Sequence, residues 1–419
     1  MKRKKRLSAA LLALGICISL ISPVPAKAAE VTENTGISTN TIPGWPQAQD
    51  ITSTAAVVVE ESTSTILYAK NMDQPLYPSS AVKIMTCLVA LENSSLDEQV
   101  TMTETGVAEV TDGSANISSQ LGEVFTMEQC LYAIMVGSAN DIALQVAEHV
   151  SGSVEAFVQK MNEKAKEVGC KDTVFTNPTG LPDENQHTTA HDLARITRAA
   201  MQNDTLRTIS SSVSYTIPAT NLSGGDRVDR VLTSNFTMTK PGDPAYYQGC
   251  LGGKEGFTQA SGSVLATAAN RNGMTLICVV LNGASGQTDD EAIALLDYGF
   301  NNFKKVSLGN NDFSIVSGGT VIIPSNASAS DLKTTDQKQD DGTLKRKYFF
   351  GNDKQVGSAK VEVRDTNANK QALAESEKHL EEAQDFSNVH TNFPYYLIGG
   401  IGIILLALLI WAIVKVVKS

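Results

Sequence analysis

Strand-patterned runs at both ends of a long helix-patterned stretch are what most constrain the fold of this chain. Ala55-Ala56-Val57-Val58-Val59 and Thr65-Ile66-Leu67-Tyr68 read as two strands around a polar turn, a hairpin. Strand patterns return after residue 248. Residues 263–269 and 274–281 flank Asn270-Arg271-Asn272-Gly273, and Asn-Gly is a strong hairpin signal. Between the two pairs the period is helical. Residues 80–91 set Val82, Met85, Leu88 and Val89 at three- and four-residue spacing, and 127–136, 141–150 and 192–201 are helical as well. Residues 291–303 read as a closing helix. Strands bracketing a helical middle predict one α+β domain over residues 51–305.

The flanks carry different signals. Residues 1–28 join a basic start, a short apolar run and the small-residue exit Ala26-Lys27-Ala28, the three parts of a secretory signal peptide. Residues 29–50, rich in Thr, Asn, Gly and Pro, read as a linker. Residues 306–375 hold short strand candidates at 313–316, 320–323, 345–350 and 360–363, separated by polar turns, which predicts a small β-rich domain. A charged stalk follows over 376–394. Residues 395–414 carry no charge and are long enough to span a membrane, with Tyr395, Tyr396 and Trp411 near the ends. Lys415 and Lys418 in the tail 415–419 place that end on the cytoplasmic side. The expectation is a body exported to the outer face of the cell membrane and held there by a single C-terminal span.

Charge and cysteine usage exclude other classes. Loss of the six basic residues of 1–28 takes the net charge from −11 to −17, which leaves no electrostatic footprint for nucleic acid. The five remaining cysteines, Cys87, Cys130, Cys170, Cys250 and Cys278, are odd in number and scattered. They outline neither a disulfide framework nor a zinc site, and leave both buried free thiols and one or two bridges open. No metal or cofactor is expected, since none of His149, His187, His191, His379 and His390 lies in a zinc-binding helical pair.

Three short motifs carry potential chemistry. Ser80-Ala81-Val82-Lys83 opens the first helix, and positions i and i+3 share a face. Lys83 then reaches the Ser80 hydroxyl and acts as its base if burial lowers its pKa. Read alone, the motif is equally a Ser N-cap and a surface Lys, with Ser79 as another cap candidate. Ser138-Ala139-Asn140 lies between two helices and offers a hydroxyl and a carboxamide, or simply a helix cap. Gly253-Lys254-Glu255-Gly256-Phe257-Thr258 leads into the strand pair. It is either a turn or an edge strand of small residues along which a peptide lies.

In this order and spacing, Ser-x-x-Lys, Ser-x-Asn and Lys-x-Gly resemble the penicillin-recognising serine enzymes. Residues 55–83, 175–181, Thr189-Ala190-His191-Asp192-Leu193-Ala194 and 256–283 narrow the likeness to the D-alanyl-D-alanine carboxypeptidases, the low-molecular-weight penicillin-binding proteins. The resemblance covers about residues 50–305. It implies a β-lactamase/transpeptidase-like fold: an antiparallel sheet flanked by helices, with a helical subdomain. The small β domain and C-terminal anchor are similar to that family's usual tail. It further implies acyl transfer from the D-Ala-D-Ala end of a peptidoglycan pentapeptide stem. In that scheme Ser80 is the nucleophile, Lys83 the general base and Ser138 a proton relay. Asn140, Lys254, Gly256 and Thr258 bind substrate, and the backbone N–H groups of Ser80 and Phe257 form an oxyanion hole. Penicillins and other β-lactams acylate Ser80 as substrate mimics.

Glu255 departs from the family's Lys-Thr-Gly motif, and the stretch 282–290, where an arginine is usual, has no basic residue. Both are contacts to the substrate's terminal carboxylate in the family. The departures predict weakened carboxypeptidase action or a substrate without that carboxylate, as in endopeptidase action. The alternative is that Glu255 points away while Arg271 or Lys254 compensates. A class A β-lactamase needs a deacylating Glu ahead of the third motif that this sequence does not display. A catalytically idle regulatory protein is the non-enzyme reading.

Overall fold

Apolar runs in the two distant strand pairs are buried on both faces, and this is what draws the ends of the domain into one sheet. The computed structural model describes residues 36–108, 114–222, 229–309, 313–351, 353–363 and 378. Strand β1 (Ala55–Glu60) pairs with β2 (Ile66–Lys70) in the expected hairpin, with a register shift between Val58 and Val59. Then come α1 (Val82–Asn93), β3 (Gln99–Thr101), α2 (Glu104–Ala108), β4 (Val124–Thr126), α3 (Met127–Met135), α4 (Asn140–Ser151) and α5 (Val154–Glu167). They are followed by α6 (Ala190–Met201), α7 (Asp204–Ser210), β5 (Ser214–Ile217) and β6 (Arg230–Thr233). The chain returns to the sheet as β7 (Cys250–Thr258), β8 (Gly262–Arg271) and β9 (Met274–Gly283), then forms α8 (Thr288–Asn302).

The sheet order is β2-β1-β9-β8-β7, antiparallel throughout, so β1 pairs along β9 although more than two hundred residues separate them. Side-chain alternation then sorts one strand into two cores. Ala55, Val57 and Val59 face a cluster with Ile84, Met85, Leu131, Ile142, Leu193 and Ile196 from the helical middle. Ala56 and Val58 face the other way, toward Leu295, Leu296 and Trp45. A strand buried on both faces reads as an unbroken apolar run, as 55–59 does. Asn272 and Gly273, both at positive φ (52° and 77°), close the β8–β9 turn that Asn-Gly predicted.

Several boundaries differ from the sequence reading. Helix α8 starts at Thr288 rather than 291, because Asp289, Asp290 and Glu291 suit a first helical turn. It ends one residue early, since Phe303 turns into β10 (Phe303–Ser307). That strand begins a second antiparallel sheet with β11 (Phe313–Pro324), β12 (Lys333–Lys338), β13 (Leu344–Phe350) and β14 (Lys354–Val363), in the order β10-β11-β14-β13-β12. Part of the expected linker is held against the domain: Ile37 bridges Lys70, and Trp45 is buried with its Nε1 donating to the Leu67 carbonyl at 2.9 Å. All five cysteines are free thiols, with Cys87, Cys130 and Cys278 buried. The expected signal peptide, membrane span and tail lie outside the described residues, as does the stalk apart from residue 378. Among the described residues no helix is long and apolar enough to cross a membrane.

Candidate active site

Ser80 sits in a 3-10 turn, Ser79–Ala81, ahead of α1 and not as its N-cap; no side chain caps that turn or the helix. Ser79 takes up the bend at φ 50°, a left-handed conformation that costs a non-glycine residue about 1 kcal/mol or more. Its hydroxyl is buried without a partner among the described residues. Two glycines allow this turn to be crowded from both sides. Gly180, at φ 83°, lies so close that an added Cβ would stand 2.0 Å from the Ser79 carbonyl oxygen. An added Cβ at Gly256 would stand 2.6 Å from the Ser80 backbone nitrogen. Strand β7 therefore runs against the nucleophile's own backbone.

The first turn of α1 brings Lys83 under Ser80. Its Nζ lies 3.3 Å from Ser80 Oγ and 2.8 Å from Asn140 Oδ1, and also donates to the Thr179 carbonyl. Lys83 is 1 % exposed. Burial, and then the charge of nearby Lys254, hold its amine well below the usual lysine range. A neutral amine has two N–H donors and one lone pair. Asn140 and Thr179 are fixed acceptors for both donors, which leaves the lone pair facing the Ser80 hydroxyl. Ser138, itself at φ 54°, donates its hydroxyl to Ser80 Oγ at 3.3 Å. The loop between α3 and α4 positions it, with Ala139 rather than Ser138 at the α4 N-cap.

Lys254 projects from β7 into the same cleft. It is 4 % exposed, and burial lowers its pKa to about 8, with Glu255 and Cys87 opposing. Among the described residues its ammonium has no hydrogen-bond or ion-pair partner. The cleft has a volume of about 320 Å³ and is lined by Ser80, Ser138, Lys254 and Glu255, with Ser285 from the loop before α8 and Asp289 from its first turn. Burial raises the Glu255 pKa, Lys254 opposes the rise and Asp289 adds to it. Asp289 is raised by burial and by Asp290 and Asp243, and its Oδ1 is buried without a partner among the described residues. A hydroxyl facing a desolvated amine, beside a cation and an edge-strand backbone, is equipped for nucleophilic acyl transfer.

The sequence profile of the D-alanyl-D-alanine carboxypeptidases, peptidase family S11, matches residues 43–285, more than half of the 419. The chain belongs to that family. It is 30 % identical over 255 residues to D-alanyl-D-alanine carboxypeptidase DacF of Bacillus subtilis, an alignment covering 60 % of this chain and 62 % of DacF. To the D-alanyl-D-alanine endopeptidase of Pseudomonas aeruginosa it is 29 % identical, over 56 % of this chain and 73 % of that protein. Penicillin-binding protein 5 of Haemophilus influenzae shares the fold at TM-score 0.62 and 25 % identity, over 76 % of this chain and 98 % of that one.

Of the residues expected at this family's site, Ser80, Lys83, Ser138, Asn140, Lys254, Gly256 and Phe257 converge. Asn140 meets Lys83 through its side-chain oxygen, a contact that the sequence did not anticipate. Thr258 is not among the residues that line the cleft. Its hydroxyl pairs with Ser261 Oγ at 2.8 Å and closes the β7–β8 turn. Glu255 lines the cleft rather than pointing away. Arg271 does not compensate, because it bonds Tyr247 and Asp297 at the other end of β8. The sequence reading missed Thr179, Ser263, Thr288 and Asp289 as site residues. Asp289 was within sight, in a stretch noted only for lacking a base.

Proposed function

We propose that this chain is a serine D-Ala-D-Ala carboxypeptidase acting on peptidoglycan stem peptides. The observation that carries the reading is the Lys83 amine held between Ser80 Oγ, Asn140 Oδ1 and the Thr179 carbonyl. In the reaction Ser80 Oγ bonds to the carbonyl carbon of the penultimate D-alanine, and its proton passes to Lys83 Nζ. The backbone N–H groups of Ser80 and Phe257 hold the oxyanion. The C–N bond then breaks, and the leaving amine takes a proton through Lys83 and Ser138. Water hydrolyses the ester and restores Ser80. A well-placed general base of this kind contributes about 10²–10⁴-fold.

β-Lactams enter the same path, and their ring nitrogen stays tethered after ring opening. The test is labelling with a fluorescent penicillin and mass mapping of the acylated peptide. The label is expected on Ser80, absent in Ser80→Ala and slowed at least 100-fold in Lys83→Ala. A label elsewhere, or none, overturns the assignment.

The same proposal places the body outside the membrane, exported by residues 1–28 and anchored by 395–414. Intact mass of the protein from washed membranes checks this, with Ala29 expected as the first residue. Endopeptidase action is the second reading, favoured by Glu255 and Asp289 lining the cleft and by the likeness to a D-alanyl-D-alanine endopeptidase.

A further inference from the structure

We infer that Asn177 is a positioning residue for acylation: its side chain builds the turn that presents the Thr179 carbonyl to Lys83, and so aims the base at Ser80. The inference rests on the reading of Lys83 as the base for Ser80 and names the residue that keeps it oriented.

The Thr179 carbonyl is one of two acceptors that orient the Lys83 amine. Asn140, the other, is the first residue of α4, so a helix fixes its backbone. Thr179 has no such support. It lies between α5 and α6, in a stretch that the backbone pair Val174–His187 closes only from outside. Among the described residues no backbone–backbone hydrogen bond is made by residues 175–182. Side chains must therefore hold this carbonyl in place.

Asn177 supplies most of the hold. Its Oδ1 accepts from the Gly180 N–H at 2.8 Å, the Thr179 hydroxyl at 2.9 Å and the Thr179 N–H at 3.2 Å. The carboxamide stands in for a backbone carbonyl, as in an Asx-turn. Its Nδ2 donates to the Leu181 carbonyl at 3.1 Å, which Gln186 Nε2 also reaches at 3.2 Å. Helix α1 then meets two successive carbonyls of the turn. Lys83 takes that of Thr179, and the Thr86 hydroxyl, one turn on, donates to that of Pro178 at 2.7 Å. The contact of Gly180 with the Ser79 carbonyl leaves the loop no slack on the side of the nucleophile.

Placement separates this role from substrate binding. Neither Asn177 nor Thr179 is among the residues that line the cleft. Loss of the Asn177 side chain should then act on bond formation and not on the binding that precedes it. With the turn unmade, the Thr179 carbonyl leaves Nζ, the amine rotates and its lone pair no longer faces Ser80 Oγ. A misplacement of about 1 Å costs about 10²-fold in rate.

The test is rapid-mixing kinetics of the full chain in detergent with a fluorescent penicillin, which separates the Kd of the first complex from the rate of acylation. Each protein is measured at the pH of its fastest reaction. Asn177→Ala is expected to slow acylation at least tenfold with Kd within twofold of wild type. Asn177→Asp keeps the accepting oxygen, and Gln186 still holds the Leu181 carbonyl, so its rate is expected within threefold of wild type. Thr86→Val removes only the contact to Pro178 and should slow acylation at least threefold at unchanged Kd; it carries the test if Asn177→Ala does not fold. A rate that neither Asn177→Ala nor Thr86→Val lowers, an Asp variant as slow as the Ala variant, or a loss found in Kd alone overturns the inference. If wild type is not acylated at Ser80, the peptidase reading itself fails, and the role of Asn177 fails with it.

Discussion

Two buried lysines in one cleft cannot both be charged at low cost, and that conflict sets the chemistry at the residue scale. Lys83 must be neutral to act as a base, while Lys254 serves as a cation. Burial lowers both, and the charge of Lys254 lowers Lys83 further. Acylation by a penicillin should therefore rise with pH as Lys83 loses its proton, then decline near pH 8 as Lys254 does. In Lys254→Met the declining limb should vanish, and the rising limb should move to higher pH because the neighbouring cation is gone. A rising limb that stays in place would disconnect the two residues. Stability moves against the declining limb. The folded state holds Lys254 at about 8 against an ordinary 10.5, so at pH 7 its charge costs about 3 kcal/mol. The unfolded chain binds the extra proton between those values, so this cost fades as pH rises through them. Lys254→Met is expected to melt higher than wild type at pH 7 and to converge with it near pH 10. Sequence spacing paired Ser80 with Lys83, but not the acceptors Asn140 and Thr179 that orient the amine. Those contacts join residues 57 and 96 positions apart, and no local period reports them.

At the scale of elements, the site depends on how closely β7 approaches the Ser79–Ala81 turn. Gly256→Ala should cut penicillin acylation at least 100-fold and lower the melting temperature as well, because the new Cβ meets backbone at 2.6 Å and the edge strand must move out. Retained acylation would show that the strand position is slack. This close approach also explains why the Gly-rich motif read as either a turn or a strand. Gly252, Gly253 and Gly256 weaken strand propensity, yet tertiary packing requires small residues there. The β8–β9 hairpin was legible because Asn272-Gly273 fixes its turn locally. Helices α3 and α6 were legible because one face of each is apolar, and α1 and α4, buried nearly all round, because their apolar residues keep a helical period. Strand β12 was not, since every residue from Lys333 to Lys338 is exposed and only pairing with β13 makes it a strand. Strand β11 reads as two short segments because Gly318 and Gly319, at φ 72° and 78°, interrupt the pattern that the ladder to β14 carries through. The Ser N-cap that the motif read alone also allowed at α1 is absent, its place taken by the 3-10 turn that presents Ser80 to the cleft.

Across the whole molecule, one apolar cluster joins the catalytic sheet to the C-terminal sheet. It runs from Val58, Leu67 and Val280 to Val321, Ile323, Val356 and Val361, and Trp45 belongs to it. The Trp45 ring is 4.8 Å from that of Phe303 and 5.9 Å from that of Phe350, while its Nε1 holds the carbonyl of Leu67 on β2. A tryptophan in contact with both sheets should make them unfold together. Truncation to Ala is expected to cost about 3–5 kcal/mol, as for a large buried ring. The chain has two tryptophans, Trp45 and Trp411, so Trp411→Phe leaves Trp45 as the sole reporter. In that background, with the full chain in detergent, the emission of Trp45 should shift red over the same urea range in which penicillin acylation is lost. An earlier shift, with acylation intact, would mean that the C-terminal sheet detaches from a catalytic domain able to stand without it. Coincident transitions would make the second sheet part of the enzyme's folding unit, which explains why an acyl-transfer site complete within residues 80–289 is joined to five further strands.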